Sequence, residues 1–358
     1  MTRPSARALP HRPAPSAPSS AAGPMTPRRR LLAGGLVLGA GGLLAACSSG
    51  TASRAASGAA QGLTLGLTYT PNIQFAPFYL AQSQGKYAPS VELRHHGAQE
   101  GLFDALQAGT EQLVVAGADE AVVATSNGSD LVVVGGFYQA YPVCIIVPQD
   151  SPITTPADMA GRTVGLPGRL GENWYGLQLA MDGAGLTEED LTIQEIGYTQ
   201  QAALVGGKVD AIIGYSNNDA VQIRQSGTPV RTIAVAEDVP LIGASLVTSR
   251  AVLQERREDL ADAVIASTDG MSAFVKDPDA AVKAAAAHVP DLVEATQAAR
   301  AREVAVATGE LIRPSSETVI GELSHDRVAT MVDFLAGHGL LGSTPVSAEE
   351  AAVSLTGE

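Results

Sequence analysis

Fifteen aromatic side chains (six Phe, eight Tyr and one Trp) are spread over 358 residues. Several fall just after a predicted strand rather than inside one: Tyr69, Tyr138, Tyr141, Trp174, Tyr175, Tyr198 and Tyr215. Rings that serve a core sit within strands or on apolar helix faces; rings at strand ends are placed to form walls. Among them stand side chains that hydrogen-bond: Asn72 in a Pro-Asn turn, Glu120 in "GADEAV", Glu172 in "GLPGRLGENWYG", and Asn217 and Asn218 in "GYSNND". Stacking on a Tyr or Trp ring contributes about 0.5–1.5 kcal/mol beyond area burial. Amides and carboxylates can read the polar edge of a heterocycle. The set therefore points to recognition of a small flat solute by Tyr69, Asn72, Glu120, Tyr141, Glu172, Trp174, Tyr198, Tyr215, Asn217 and Asn218.

Some of these have a local role in competition. Asn72 can cap the helix that follows it, and Glu120 can serve the dipole of its own helix. Phe75, Phe78 and Tyr79 lie at helical spacing and are expected to pack as core first. Arg169 reads as an exposed loop arginine, Asp219 as the start of a helix. Catalysis finds no support: no GxSxG, no HExxH and no carboxylate pair with a companion base is present. The loop at 165–176 lacks the Lys-Ser/Thr ending of a phosphate-binding loop and the spacing of a dinucleotide fingerprint. His95 and His96 are adjacent on a predicted strand, so they point to opposite faces and make a poor metal clamp. Both are expected to be solvated. No metal or cofactor is implied.

The elements that must position these residues alternate strand and helix from 63 to 250, an α/β pattern with mostly parallel sheets. Strands are predicted at 63–68, 91–96, 113–118, 131–137, 144–147, 163–166, 192–196, 210–214 and 246–248, most of them apolar and 91–96 alternating. Beyond Arg250, heavy alanine and apolar spacing of three and four predict helices. "ALQAGTEQLVVAGADEAV" (105–122) echoes "ALVGGKVDAIIGYSNNDAV" (203–221). Each is a helix, a Gly turn, a buried strand and a polar loop at the carboxyl end of that strand, where open α/β sheets hold ligands. Two such units from two lobes could face one another across a cleft.

The first 46 residues contain six arginines and no Asp or Glu. Arg28–Arg30 precede an apolar, Gly-rich run to Ala46, too short for a comfortable membrane span, and Met25 is a plausible start. "LAAC" ending at Cys47 resembles the bacterial lipobox, in which the cysteine is diacylated and becomes the new N-terminus. Residues 47–62 then read as a flexible tether. Loss of six arginines leaves 17 basic against 37 acidic residues, a net charge of −20. Such a body repels nucleic acid and anionic lipid headgroups. Cys144 is left without a disulfide partner.

"YTPNIQFAPFYLAQSQGKYAPSVELR", "ALQAGTEQLVVAGADE", "SPITTPADMAGRTVGLPG" and "ALVGGKVDAIIG" follow one another in an order that resembles the solute-binding lipoproteins of ABC importers. The resemblance covers roughly residues 62–345. Within that family it is nearest to the binders of thiamine pyrimidine precursors, relatives of the alkanesulfonate, taurine and nitrate binders. Riboflavin-binding relatives have similar "PN-Q-FAPFY" and "YPV" segments, which "QAYPV" (139–143) matches. The resemblance implies a type II periplasmic-binding-protein fold of two α/β lobes. Two crossing strands, near 144–149 and 243–248, would join residues 63–145 plus 246–345 to residues 149–242. It also implies a monomer outside the cell membrane, held by lipid alone, that hands a flat heteroaromatic to a permease and its ATPase. A pyrimidine precursor ranks ahead of riboflavin, and both ahead of an alkanesulfonate or nitrate; a surface receptor that senses its ligand without transport is a different class. The family's eukaryotic synthases carry a cysteine-rich motif that this chain lacks.

Overall fold

The computed structural model describes residues 62–97 and 100–356. The expected leader, Cys47 and the tether up to Gln61 lie outside the described residues.

Apolar runs of four to six residues build two five-stranded sheets. The first comprises β1 (Leu63–Leu67), β2 (Val91–His95), β3 (Leu113–Gly117), β4 (Leu131–Gly136) and β10 (Ala244–Ser249), in the order β2-β1-β3-β10-β4. The second comprises β5 (Val143–Pro148), β6 (Thr163–Leu166), β7 (Thr192–Glu195), β8 (Ala211–Tyr215) and β9 (Val230–Ala234), in the order β7-β6-β8-β5-β9. β3, β4 and β5 are buried nearly throughout. That is why they read as continuous apolar runs without alternation.

Neighbours within each βαβ series pair in parallel, as in β1 with β2 and β3, and β6 with β7 and β8. β10 is antiparallel to β3 and β4, and β5 is antiparallel to β8 and β9. The direction follows from the route of the chain. A strand that arrives from the other sheet enters between its neighbours from the end of the sheet at which they finish, so it must run against them. The chain passes between sheets at 137–142 and again at 235–243, ahead of the two stretches expected to cross. Residues 143–145, assigned by sequence to the first lobe, are the start of β5 in the second sheet.

Helices cover the sheets. α1 (Ala76–Ser83), α2 (Asp104–Gln107) and α3 (Ala118–Ser126) belong to the first lobe; α4 (Gly171–Ala184), α5 (Gln200–Val205) and α6 (Asp219–Gln225) belong to the second. α7 (Arg250–Glu255), α8 (Arg257–Lys276), α9 (Pro278–Ala285), α10 (Ala295–Ile312), α11 (His325–Gly337) and α12 (Ala348–Ala351) return to the first lobe. Phe75, Phe78 and Tyr79 pack as core beneath α8 and α9. The outer edge of β4 is closed by the C-terminal segment, where the Val353 and Leu355 amides donate to the Val133 and Val134 carbonyls. A covered edge offers no template for pairing with another chain. Among the described residues no helix is long and apolar enough to cross a membrane.

His95 at the end of β2 and His96 just after it depart from the solvated reading. They do face opposite ways, but His95 lies 2.9 Å from the Tyr79 hydroxyl. His96 is buried, with Nε2 3.0 Å from both carboxylate oxygens of the buried Glu111. Arg94 donates to the same carboxylate at 2.7 Å. A carboxylate enclosed beneath the sheet must find donors, and these two side chains supply them.

α8 lies against α1 at Gly270, where an added Cβ would run into the Pro77 carbonyl and sit 2.8 Å from the Ala81 methyl. Gly270→Val is therefore expected to lower stability by about 1–3 kcal/mol through overpacking, read from urea denaturation. Unchanged stability would show that the two helices are free to separate.

Candidate functional site

The facing edges of the two sheets meet along a seam, and three carboxylates converge there. Asp119 and Glu120 open α3 just past β3; Glu172 lies in the first turn of α4, just past β6. One oxygen from each falls within 4.8 Å of the others. Glycine makes the convergence possible. A Cβ at Gly117 would sit 2.5 Å from Asp119 Oδ1, 2.8 Å from Glu172 Oε1 and 2.9 Å from Glu120 Oε2. Gly171 contributes backbone as well, since its φ of +68° is a conformation that side chains disfavour.

Two tyrosines enter the group. The Tyr141 hydroxyl donates to Asp119 Oδ2 at 2.9 Å and lies 3.2 Å from the Glu172 carbonyl. The Tyr215 hydroxyl donates to Glu172 Oε2. The Gly117 amide donates to Glu120 Oε2 at 3.3 Å, and the Glu120 amide to Asp119 Oδ1 at 2.7 Å. No Lys, Arg or His among the described residues forms an ion pair with any of the three acids.

Burial, then repulsion from Glu120, holds the Asp119 carboxyl well above the usual range. Burial, then repulsion from Asp119 and Glu120, does the same to Glu172, and burial raises Glu120. Burial also drives the Tyr141 and Tyr215 hydroxyls up, so both keep their protons and remain donors.

A second polar group bridges the seam beside the first. Asn217 is 1% exposed, and its Nδ2 donates to the Thr308 hydroxyl of α10 at 2.9 Å and to the Tyr138 hydroxyl at 3.3 Å. Its Oδ1 is buried without a partner, as is Oδ1 of Asn173, the residue after Glu172. Farther out, Gln225 of α6 donates to the Arg300 carbonyl and to Glu303 of α10, both at 2.9 Å. These contacts describe a closed arrangement of the lobes.

The structure thus brings together Glu120, Tyr141, Glu172, Tyr215 and Asn217. Trp174 is buried in the apolar core, with the Arg169 guanidinium 5.0 Å from its ring centroid. Arg169 also pairs with Glu188 and Glu195. Other candidates stand apart from the acids. Tyr198 is 75% exposed on the loop after β7, and Tyr69 is 46% exposed, contributing its carbonyl to His95. Asn72 caps the turn at Ile73–Phe75, accepting from the Gln74 amide at 2.9 Å. Asn218 accepts from Gln222 at 2.6 Å, and the Asp219 carboxylate takes the Tyr215 amide at 2.7 Å. Sequence reasoning missed Asp119, Tyr138 and Thr308. Asp119 carries a signal as the acidic neighbour of Glu120 at a strand end, and Tyr138 as a strand-end ring left out of the binding set; Thr308 carries none.

Comparison with known proteins places the chain in a family. The pattern described as "NMT1/THI5 like" matches residues 72–281. The chain belongs to the NMT1/THI5-like family. It is 32% identical over 236 residues to the riboflavin-binding protein RibY of Chloroflexus aurantiacus, covering 64% of this chain and 67% of that protein. It is 24% identical over 248 residues to a formylaminopyrimidine-binding protein of Halalkalibacterium halodurans, covering 67% and 73%. The alkanesulfonate-binding protein SsuA of Xanthomonas axonopodis pv. citri, solved with MOPS, superposes with a TM-score of 0.63 at 20% identity, over 82% of this chain and 98% of its own. That likeness establishes the fold, the α/β periplasmic-binding-protein architecture of this NMT1/THI5-like chain.

The raised carboxyls fix how stability varies with pH. Groups whose folded-state pKa lies above the ordinary 4.5 contribute fully below that value, and the contribution is lost as pH rises through the raised values. Asp158 has the opposite sign, pulled down to about 2 by the Thr154 and Thr155 amides and hydroxyls, so its contribution is lost only in strong acid. Thermal unfolding of the unliganded protein should therefore show a Tm that falls as the pH is raised above the ordinary carboxyl range, with the fall reduced in Glu172→Gln. Equal slopes in the two proteins would remove the acids as the cause.

Proposed function

We propose that this chain is the substrate-binding component of an ABC importer, held outside the cell membrane by a lipid on Cys47, and that its guest is riboflavin. The convergence of Asp119, Glu120 and Glu172 with Tyr141 and Tyr215 in one seam carries the reading. Acceptors from both lobes suit a planar molecule whose edge and substituents carry N–H and O–H donors. Contacts made from both lobes at once favour the closed form over the open one, which is how a ligand shifts such a hinge. The relative named for riboflavin supports flavin as the ring system.

The carboxylates themselves favour a second reading, a thiamine pyrimidine precursor. An amino-substituted pyrimidine offers N–H donors to acidic acceptors, and the other curated relative is named for a formylaminopyrimidine. Sulfonate and nitrate fit the seam poorly. An anion meets like charge wherever one of these acids is ionised, and no Lys, Arg or His among the described residues pairs with the group to offset it. Binding rather than turnover agrees with both relatives, each named as a binding protein.

Calorimetry decides the ligand. Riboflavin should bind, flavin mononucleotide should bind at least about tenfold more weakly because of its phosphate, and an alkanesulfonate should give no heat. Glu172→Gln should weaken riboflavin by about tenfold or more, in the range of a hydrogen bond to a charged group. Tight sulfonate binding with none by riboflavin or pyrimidines would overturn the assignment. For the anchor, Cys47→Ser should move the protein from the membrane fraction to the medium, and a membrane-bound variant would refute lipidation at that residue.

A further inference from the structure

The seam poses a charge problem that hydrogen bonds alone do not solve. From α3 come Asp119 and Glu120; from α4 come Glu172 and Tyr175; from the crossing after β4 come Tyr138 and Tyr141; from the turn after β8 comes Tyr215. Every one of these groups is an acid. The one formal charge any of them can carry is negative, and like charges this close repel strongly even where water screens them. Tyr141 and Tyr215 relieve this by donating one hydroxyl proton each, to Asp119 and Glu172. A third carboxylate remains without such a donor, held by the Gly117 amide.

A separate observation points to an absent guest. Asn217, 1% exposed, spends one end of its amide on lobe 1, through Tyr138 and Thr308. Its other end is buried with no partner. A buried polar atom left unpaired is costly, so a residue locked in this posture is set to be completed by another molecule. Tyr138, its partner, is itself within reach of the charge of Glu172.

We propose that closure of the lobes is an exchange of protons for guest: the empty seam closes by holding protons on the Asp119–Glu120–Glu172 group, and a guest rich in N–H and O–H donors closes it by displacing them. Opening carries Glu172 away from Asp119 and Glu120, readmits water and releases the protons. Closed protein therefore binds protons more tightly than open protein, so acid favours closure and rising pH favours opening. Because the three acids titrate as a group, the transition belongs to the cluster and not to one residue. The guest half of the proposal rests on the function proposed above; the proton half does not.

Two measurements separate them. In the first, small-angle scattering follows the unliganded chain carrying Cys47→Ser from about pH 5 to about pH 9. The radius of gyration should rise by about 1 Å or more as the hinge opens, with unchanged far-UV circular dichroism. Glu172→Gln, or Asp119→Asn should the first variant fail to fold, should stay compact to higher pH. A wild-type radius that is constant, or one that grows equally in a folded variant, overturns the proposal. In the second, riboflavin is titrated calorimetrically in two buffers of different ionisation heat. A buffer-dependent heat corresponding to proton release supports the exchange; binding without it overturns the guest half. Absence of riboflavin binding counts against the ligand assignment alone, and the scattering experiment still decides the proton half.

Discussion

Three carboxylates stand together between two sheets, where burial and mutual repulsion oppose their all being charged, and the seam is organised around that constraint. The acids arrive on different lobes, Asp119 and Glu120 on α3 and Glu172 on α4, so their mutual repulsion is a property of the lobe arrangement and not of either lobe alone. Within one lobe, Asp119 and Glu120 are adjacent in sequence and splay to different partners. Only closure brings Glu172 to them. The electrostatic energy of the site and the hinge coordinate are thus the same variable. A guest or a proton that neutralises the cluster acts on the hinge without any intervening relay.

The backbone is shaped to permit this. Gly117 and Gly243 leave space beside Glu172 that a side chain would fill, and Gly171 lets α4 begin directly against Glu120. The crossing segments matter equally. β5 and β10 each join the interior of a sheet, so the strands beside them, β8 and β3, lie next to the hinge. Loops after β3 and β8 therefore meet, and the loop after β6, one strand farther, still reaches through α4. The loop after β7, at the far edge, does not.

That rule explains which residues could be read in advance. Long apolar runs such as Leu131–Gly136 and Val143–Pro148 are fully or nearly fully buried and declare themselves. Val230–Ala234 alternates as a short edge strand after a proline and passed unrecognised. For the site, position past a strand end selected Glu120, Tyr141, Glu172 and Tyr215, which do converge. The same criterion selected Tyr198 and Tyr69, which stand apart, because a strand end carries no information on strand order. Asn217 meets Thr308 across 91 residues, and nothing local to either residue encodes the encounter. His96 was misread for a similar reason: its partner Glu111 is supplied by another strand's approach, invisible from β2 alone.

Specificity follows from what the seam lacks as much as from what it holds. A fold of this kind can accept sulfonates, since a relative by structure was solved with MOPS. Anion recognition in any such fold needs amide and guanidinium donors at the seam. Here the seam presents carboxylates and the unpartnered Asn217 Oδ1, an acceptor, while Arg169 is engaged by the Trp174 ring and by Glu188 and Glu195. Two lobes and a hinge supply the closing motion whatever the guest. The sign of the charge at the meeting point selects it, and a handful of substitutions at strand ends could reverse that sign without disturbing either sheet. Change of ligand class within such a family is then a change in a few loop residues next to the hinge, while the buried strands, which set their position, stay as they are.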